Sequence, residues 1–180
     1  MSEISDSIEQ DMRSLDEILK DLNKEAANHK NERDRFHQQA DALAEKRDKL
    51  QEKARRLSSE ARALKAQRDD YNLTAQECRA KRDEWNDKVK MMRQRGGLGD
   101  INGAKQMADT YHQKMVKANT SGQAVHEKMH NLYEEADALR QEAQVCHEQY
   151  LDCKKAADLE HEKYIQVVKR INNVRDNLPD

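Results

Sequence analysis

Apolar residues recur every seven positions through most of the chain, and this repeat constrains the fold more than any other feature. In the first half, one set of positions, called d, is the following: Ile8, Leu15, Leu22, His29, Phe36, Leu43, Leu50, Leu57, Leu64, Tyr71, Cys78, Trp85 and Met92. A companion set, called a, lies three residues earlier in each repeat, and both sets resume after residue 100. Such a heptad pattern is typical of a left-handed coiled coil. With 38 % charged and 36 % hydrophobic residues, the chain has too few apolar side chains for a wide globular core.

A cluster of glycines separates the two repeats. Four of the five glycines lie at positions 96, 97, 99 and 103, and the one proline is at 179. Glycine supplies the positive φ values that a reversing chain needs. The sequence therefore predicts an all-α fold, a long antiparallel two-helix coiled-coil hairpin with a Gly-rich turn near residues 93–100. We expect one domain, residues 1–180, with arm one over about 4–94, the turn at 95–100 and arm two over about 101–178.

Side-chain volumes indicate how the two arms align. In an antiparallel pair, the numbers of residues that share a layer add to a constant, and a constant of 193 sets large side chains against small ones. The pairs include Trp85 with Ala108, Phe36 with Ala157 and Leu50 with Ala143. The same alignment places Tyr71 opposite Gly122 and Arg33 opposite Glu160, which are the predicted register residues. A self-paired dimer is an open alternative.

Two ladders of polar residues share one spacing along the seam. Steps of 14, 21 and 14 residues separate the arginines at a positions of arm one and the histidines at e positions of arm two: Arg33, Arg47, Arg68, Arg82 and His112, His126, His147, His161. Read outwards from the turn, the two series have the same steps, so the hairpin would bring each arginine near a histidine. One interpretation is structural, because polar a residues fix register and arginine stems cover small layers. The other is a pH-sensitive seam that loosens when the histidines are protonated.

The middle of arm two contains a run of poor helix formers, residues 119–122. Either Gly122 only makes room for Tyr71, or the run marks a bend or a short interruption.

The chain lacks the motifs of the common enzyme and metal classes. The Cys146-His147 pair and Cys153 have neither CxxC nor i, i+4 ligand spacing. There is no Gly-rich phosphate loop, no GxSxG and no pair of aspartates separated by one residue. A two-helix coiled coil also offers no enclosed pocket. We expect no catalysis, no cofactor and no metal.

Targeting and cysteine usage indicate a compartment. The first residues contain no basic and apolar leader, and no run of about 18 apolar residues occurs. The three cysteines lie on the seam, and Cys146 and Cys153 are one heptad apart, too far for a disulfide. We expect a cytoplasmic protein with reduced thiols and no membrane insertion.

Basic residues concentrate near the turn. Between Arg79 and Lys117 there are ten basic and five acidic residues, although the whole chain has a net charge of −2. A basic glycine turn favours contact with phosphate groups, and RNA or the ribosome is the candidate partner. The predicted contact residues are Lys88, Lys90, Arg93, Arg95 and Lys105.

A second candidate surface lies outside the seam of arm two. Apolar side chains occupy outward b or c positions at Val145, Leu151, Leu159 and Ile165, and Ile4 and Ile18 belong to the same end of the hairpin. Outward apolar residues often mark a protein interface or self-association. These four residues of arm two are the predicted protein contacts, to another protein or to a second copy.

Several short units resemble a known family. The units are Arg47-Asp48-Lys49-Leu50, Arg68-Asp69-Asp70-Tyr71-Asn72, Arg82-Asp83-Glu84-Trp85-Asn86 and the stretch 126–137. They resemble a family of uncharacterised archaeal coiled-coil proteins, which is distantly similar to eukaryotic proteins of the yeast nuclear-segregation (polysome- and mRNA-associated) and plant proton-pump-interactor type. Some archaeal members carry a phosphoserine phosphatase label, but the aspartate nucleophile motif is missing here. The resemblance implies a cytoplasmic adaptor associated with the ribosome or RNA.

These observations favour a non-enzymatic coiled-coil adaptor that contacts RNA through a basic tip and protein through its far end. The alternative is a structural spacer or scaffold that binds only proteins, by self-association or otherwise. The salt dependence of binding distinguishes the two hypotheses, since phosphate contacts weaken steeply as ionic strength rises.

Overall fold

The fold consists of two helices joined by a short turn. The computed structural model describes the backbone of residues 2–176 and the side chains of residues 14–176. Helix α1 spans Ser2–Gln94 and helix α2 spans Ile101–Asp176. They pack against each other in antiparallel directions, which confirms the all-α hairpin and the position of its turn. The predicted last residues of arm two, with Leu178, and the side chain of Ile4 lie outside the described residues.

Helix α2 is unbroken through residues 119–122. The hydroxyl of Thr120 donates to the carbonyl oxygen of Val116 at 3.0 Å, which satisfies this polar side chain within the helix. A short interruption at this run is therefore wrong for the described backbone, and a bend there stays a prediction.

The chain divides into two compact sections, and both helices contribute to each. The terminal section comprises residues 1–50 and 141–180, and the turn section comprises residues 51–140.

In the terminal section, a cluster of apolar side chains forms part of the seam. Leu22, Ala26, Val167 and Ile171 are buried together, with Leu19, Tyr164 and Val174 packed against them. Leu22 with Ile171 and Ala26 with Val167 are the layer partners that the 193 alignment predicts. Because burying such side chains provides most of the stabilisation of a coiled coil, this cluster anchors the alignment at this end.

In the turn section, the seam consists largely of small residues. Ala61 and Ala136 are fully buried, and Ala54, Ala75 and Ala118 are buried nearly as well. Larger d residues such as Leu57, Leu64 and Tyr71 keep part of their surface exposed beside these alanines. Tyr71 packs directly on Gly122, whose added Cβ would lie 3.3 Å from the Tyr71 Cβ. The predicted Tyr71–Gly122 layer is therefore present.

Candidate functional site

The turn between the helices has a defined backbone geometry. Gly96 and Gly97 adopt φ values of 80° and 81°, and Gly99 adopts 117°. The Gly97 amide donates to the Met92 carbonyl at 3.0 Å and the Gly96 amide donates to the Arg93 carbonyl at 3.3 Å. This is the Schellman pattern that ends a helix at a glycine. The glycine cluster is thus required by the left-handed backbone of the turn.

Asp100 caps the start of α2. Its Oδ1 accepts a hydrogen bond from the Gly103 amide at 2.8 Å. Its carbonyl accepts one from the Ala104 amide at 3.1 Å. Gly103 has no Cβ, and an added Cβ would meet the Asp100 carboxylate. The cap therefore occupies one of the backbone donors at the start of α2.

The predicted RNA-contact residues surround this turn. Lys90, Arg93, Arg95 and Lys105 are exposed, and none of them forms an ion pair with any part of the chain that the structure describes. Lys88 differs, because its ammonium lies 2.7 Å from Glu84 Oε1 and 4.1 Å from the Trp85 ring centroid. Between Asp87 and Asp100 the sequence contains no acidic residue. The turn thus carries four basic groups that form no ion pair within the described residues.

Apolar side chains also reach the surface around the turn. Leu98 is 76 % exposed, Met91 is 50 % exposed and Met107 is 38 % exposed. Beside them, Trp85, Met92 and Met107 line an open cleft between the helices. The heptad pattern did not identify Met91, Leu98 and Met107 as candidate contact residues, because these three lie outside its a and d positions.

The predicted protein-contact residues are exposed in the terminal section. Val145 and Leu159 are 51 % and 52 % exposed, and Leu151 and Ile165 are 42 % and 38 % exposed. Ile18 is also exposed. Nothing in the described chain covers these side chains.

The Arg33–Glu160 pairing expected from the sequence is wrong. His29 Nδ1 lies 2.6 Å from Glu160 Oε2, and Lys163 donates to Glu160 Oε1 at 2.6 Å. Arg33 instead donates to its neighbour Asp34 from Nε and Nη2, at 2.9 and 2.7 Å. The adjacent carboxylate holds the guanidinium, and His29, one helical turn earlier, reaches Glu160 in its place.

The arginine and histidine ladders meet in the terminal section. Arg33 Nη1 lies 3.4 Å from His161 Nδ1, and Arg47 Nη1 lies 3.4 Å from His147 Nδ1. A guanidinium can only donate, so these histidine nitrogens accept. The Arg47 guanidinium also lies 5.8 Å from the Tyr150 ring centroid. The pH-sensitive interpretation requires this contact between the two ladders, whereas the structural interpretation requires only the arginines at their a positions.

In the turn section, the other two ladder arginines also bond the aspartate that follows each of them in sequence. Arg68 and Arg82 bond Asp69 and Asp83, the residues that follow them, at 2.6 Å. Arg82 Nη1 also lies 3.7 Å from Met115 Sδ. Thus every ladder arginine is held by the aspartate that follows it in sequence.

The hydrogen bonds at Glu160 make the stability of the hairpin depend on pH. The hydrogen bond with Lys163 has the largest effect and the one with His29 the next largest, and both hold the pKa of Glu160 below its ordinary value of 4.5. A depressed folded-state pKa contributes stability above the ordinary pKa, and this contribution is lost as pH falls through the folded value. We expect Glu160→Gln to lower the melting temperature at pH 7, with a difference from wild type that shrinks as pH falls below 4.5.

Circular-dichroism melts between pH 7 and pH 3 measure this difference. Glu162→Gln is the control, because Glu162 is exposed and has no ion pair in the described chain. A Glu160→Gln deficit that stays constant down to pH 3 would contradict the assigned role of the carboxylate.

The possible metal ligands, the cysteines and the hydropathy of the helices can each be examined in the described chain. Among the described residues, no cluster of three or more His, Cys, Asp or Glu side chains is arranged to bind a metal ion. Cys78 and Cys146 are buried free thiols, and Cys153 is a half-buried one. No helix in the described range is long and apolar enough to cross a membrane.

Two long helices packed through a heptad seam and joined by a basic glycine turn define a coiled-coil hairpin. A family model matches residues 17–97 and 96–179, and the chain belongs to this family of unknown function, DUF7121. The sequence leads us to expect membership of an uncharacterised family, and this coarser part of the expectation is confirmed. Searches of curated proteins and of solved structures gave no significant match.

Proposed function

We propose that this chain is a non-enzymatic, cytoplasmic adaptor that presents the basic groups of its glycine turn to ribosomal or other RNA. The observation that carries the proposal is the set of four exposed basic residues at the turn without ion-pair partners in the described chain: Lys90, Arg93, Arg95 and Lys105. Neutralising phosphates with such residues releases counterions, which supplies most of the free energy of sequence-independent binding.

The contact rests on side chains more than on the start of α2. Helix N-termini bind anions through unpaired amides. Here Asp100 already accepts from the Gly103 amide, and its carboxylate adds negative charge at that point. Arg93, Arg95 and Lys90 lie on the α1 side of the turn, away from this cap in sequence. They are therefore the residues whose removal should matter most.

The exposed apolar residues of the terminal section support a protein partner for the same adaptor. Val145, Leu151, Leu159 and Ile165 extend over three heptads of α2 with no cover in the described chain. The resemblance to archaeal coiled coils, and through them to mRNA-associated eukaryotic proteins, also supports this adaptor function. Both arguments are independent of the charge at the turn.

Charge reversal at the turn is expected to weaken RNA binding. The variant Lys90→Glu/Arg93→Glu/Arg95→Glu should lower affinity for a single-stranded RNA more than tenfold at 50 mM salt. It should also reduce the slope of log affinity against log salt by about 2, at roughly 0.7 per phosphate contact. Fluorescence anisotropy with a labelled 24-nucleotide RNA over 50–300 mM salt measures both quantities.

A matched control carries the same change in charge elsewhere. Lys20→Glu/Lys24→Glu/Lys169→Glu alters three exposed lysines of the terminal section that have no ion pair in the described chain. If this control and the turn variant lose affinity equally, net charge rather than the turn is responsible, and the proposal fails. It also fails if wild-type protein does not bind RNA.

A further inference from the structure

The two edges of the seam in the turn section differ in whether their charged residues have partners within the protein. Positions g of both helices flank one edge, and positions e flank the other. On the g edge, Lys53 lies 3.2 Å from Glu135 and Lys128 lies 3.4 Å from Glu60, across the helices. The Lys114 ammonium lies 5.4 Å from the Tyr111 ring centroid. Most charges on the g edge therefore have partners within the protein.

The e edge of the turn section has basic residues and no acidic ones. Its basic members are Lys65, Arg79, Arg93, Lys105 and Arg140, and its histidines are His112 and His126. Only Arg140 is engaged, with Asp137 and with the Ser58 hydroxyl at 2.6 Å. The other four basic residues have no ion pair with any described residue. Their charge is thus available to an external anion.

The Arg140–Ser58 hydrogen bond fixes which e residues face each other. Moving seven residues along each helix from this layer gives the following facing pairs: Lys65 with Tyr133, Asn72 with His126, Arg79 with Asn119, Asn86 with His112 and Arg93 with Lys105. Each layer contains a cation or an imidazole, and all but the last add an amide or a hydroxyl. Successive layers lie roughly 10 Å apart at 1.5 Å per residue.

Open clefts follow this edge between the layers. Arg68, Asn72, Asn119 and His126 line one of them, and Asn72, Arg79 and Asn119 line the next. These polar donors lie beside the small residues Gly122 and Ala75, where the helices come close.

Few acidic groups oppose the positive charge of this edge. Asp69 and Asp83 border it, but each is bonded to the ladder arginine that precedes it. Asp137 is bonded to Arg140. Asp109 borders the edge next to His112 and has no ion pair in the described chain. The edge therefore keeps a positive excess from the turn to Arg140.

We propose that the e edge of the turn section is a track for the phosphate backbone of single-stranded RNA. The inference rests on the proposed function and extends it, because the Arg93–Lys105 layer belongs to both the turn and the track. Regularly spaced donors without an apolar pocket fit a regular polyanion, since specific peptide sites require apolar anchors. The track runs from the Arg93–Lys105 layer to the Ser58–Arg140 layer, about 50 Å at 1.5 Å per residue.

The test variant alters the track and leaves the turn intact. Lys65→Glu/Arg79→Glu should lower affinity for a 24-nucleotide RNA about tenfold at 50 mM salt and reduce the salt slope by about 1.4. Lys114→Glu/Lys117→Glu is the matched control, with the same charge change in the same section but outside the e edge. It should lose less than threefold. Lys65→Gln/Arg79→Gln replaces the test variant if circular dichroism shows that charge reversal unfolds it.

The outcomes separate the track from the proposed function. The track is wrong and the proposed function stands if Lys65→Glu/Arg79→Glu loses no more RNA affinity than its control, while Lys90→Glu/Arg93→Glu/Arg95→Glu loses affinity as expected. If wild-type protein binds no RNA, both fail. If both the turn and track variants lose affinity, both are supported. If poly-glutamate competes with the labelled RNA as strongly as unlabelled RNA does, the preference for phosphate is overturned. Inorganic polyphosphate, used as a second competitor, tests whether the sugar and base of RNA contribute to binding.

RNA length provides a second readout. A 50 Å track corresponds to about 15 nucleotides at the ~3.4 Å rise per phosphate of one helical strand. Affinity should therefore rise with oligonucleotide length between 4 and about 15 nucleotides in wild type. The track variant should reach its plateau earlier. A wild-type plateau at 4 nucleotides would overturn the track, because the turn alone would then account for binding.

Discussion

Replacing Gly122 by leucine is expected to destabilise the hairpin by about 1–3 kcal/mol, because the seam has no space for the new side chain. Even a Cβ at this position would lie 3.3 Å from the Tyr71 Cβ and 3.4 Å from the Asn72 side-chain oxygen. A leucine adds three more carbons in the same direction. For a chain of this size, each kcal/mol lowers the melting temperature by roughly 2–4 °C.

A double-mutant cycle makes the result specific to the alignment. Tyr71→Ala keeps the Cβ but removes the ring beyond it, which frees space for the outer carbons of the leucine. The double variant should therefore be destabilised by about 0.5–3 kcal/mol less than the sum of the single effects. Ala124→Leu, two residues away at an exposed position, is the control and should change stability by less than about 0.5 kcal/mol. Additive effects of Gly122→Leu and Tyr71→Ala would mean that the two positions are not neighbours.

The second large effect is expected at the turn. Gly96 and Gly97 both have φ near +80°, where a side chain costs roughly 1–2 kcal/mol per residue. The variant Gly96→Val/Gly97→Val should therefore lose about 2–4 kcal/mol of stability. Nothing lies within 4 Å of a Cβ at either glycine, so backbone strain and not a clash is the cause.

Urea unfolding followed by circular dichroism measures this loss. Leu98→Val is the control, because Leu98 is exposed in the same turn and no residue other than glycine has positive φ in the described chain. It should be neutral within about 0.5 kcal/mol. If the double valine variant were as stable as the control, the left-handed turn assigned to these glycines would be wrong.

The parts of the fold that could be predicted from sequence are those that repeat. The heptads predicted two helices, and matched volumes predicted that Tyr71 meets Gly122. The mirrored spacing of two ladders predicted the contacts of Arg33 with His161 and of Arg47 with His147. Each depends on many positions at once, so no single side chain decides the outcome.

The errors came from single side chains with a choice of partner. Arg33 is adjacent to Asp34 in sequence, and this local carboxylate holds a guanidinium that the alignment assigned to Glu160. Glu160 in turn takes His29 and Lys163 as its partners. A long flexible side chain reaches several partners, and the heptad position does not say which one it takes.

The exposed apolar residues at the turn illustrate a different limit. Leu98 and Met91 lie outside the seam, and whether they are exposed depends on the path of the turn. The 193 alignment already implies which e positions face each other, and the Arg140–Ser58 hydrogen bond agrees with it. Which charges lack a partner on each edge could be recognised only from the ion pairs of the structure. Heptad letters alone do not distinguish a charge that has a partner from one that is free.

Zero-length carbodiimide cross-linking tests the antiparallel hairpin most directly. The structure places Lys46 2.9 Å from Glu142, Lys53 3.2 Å from Glu135 and Lys128 3.4 Å from Glu60, each pair joining α1 to α2. In an equal mixture of ¹⁴N- and ¹⁵N-labelled protein, denatured together and refolded, mass spectrometry should find all three links within chains of one isotope. Links that combine both isotopes, or links displaced by a heptad, would contradict a chain that folds back on itself at its glycines in this alignment.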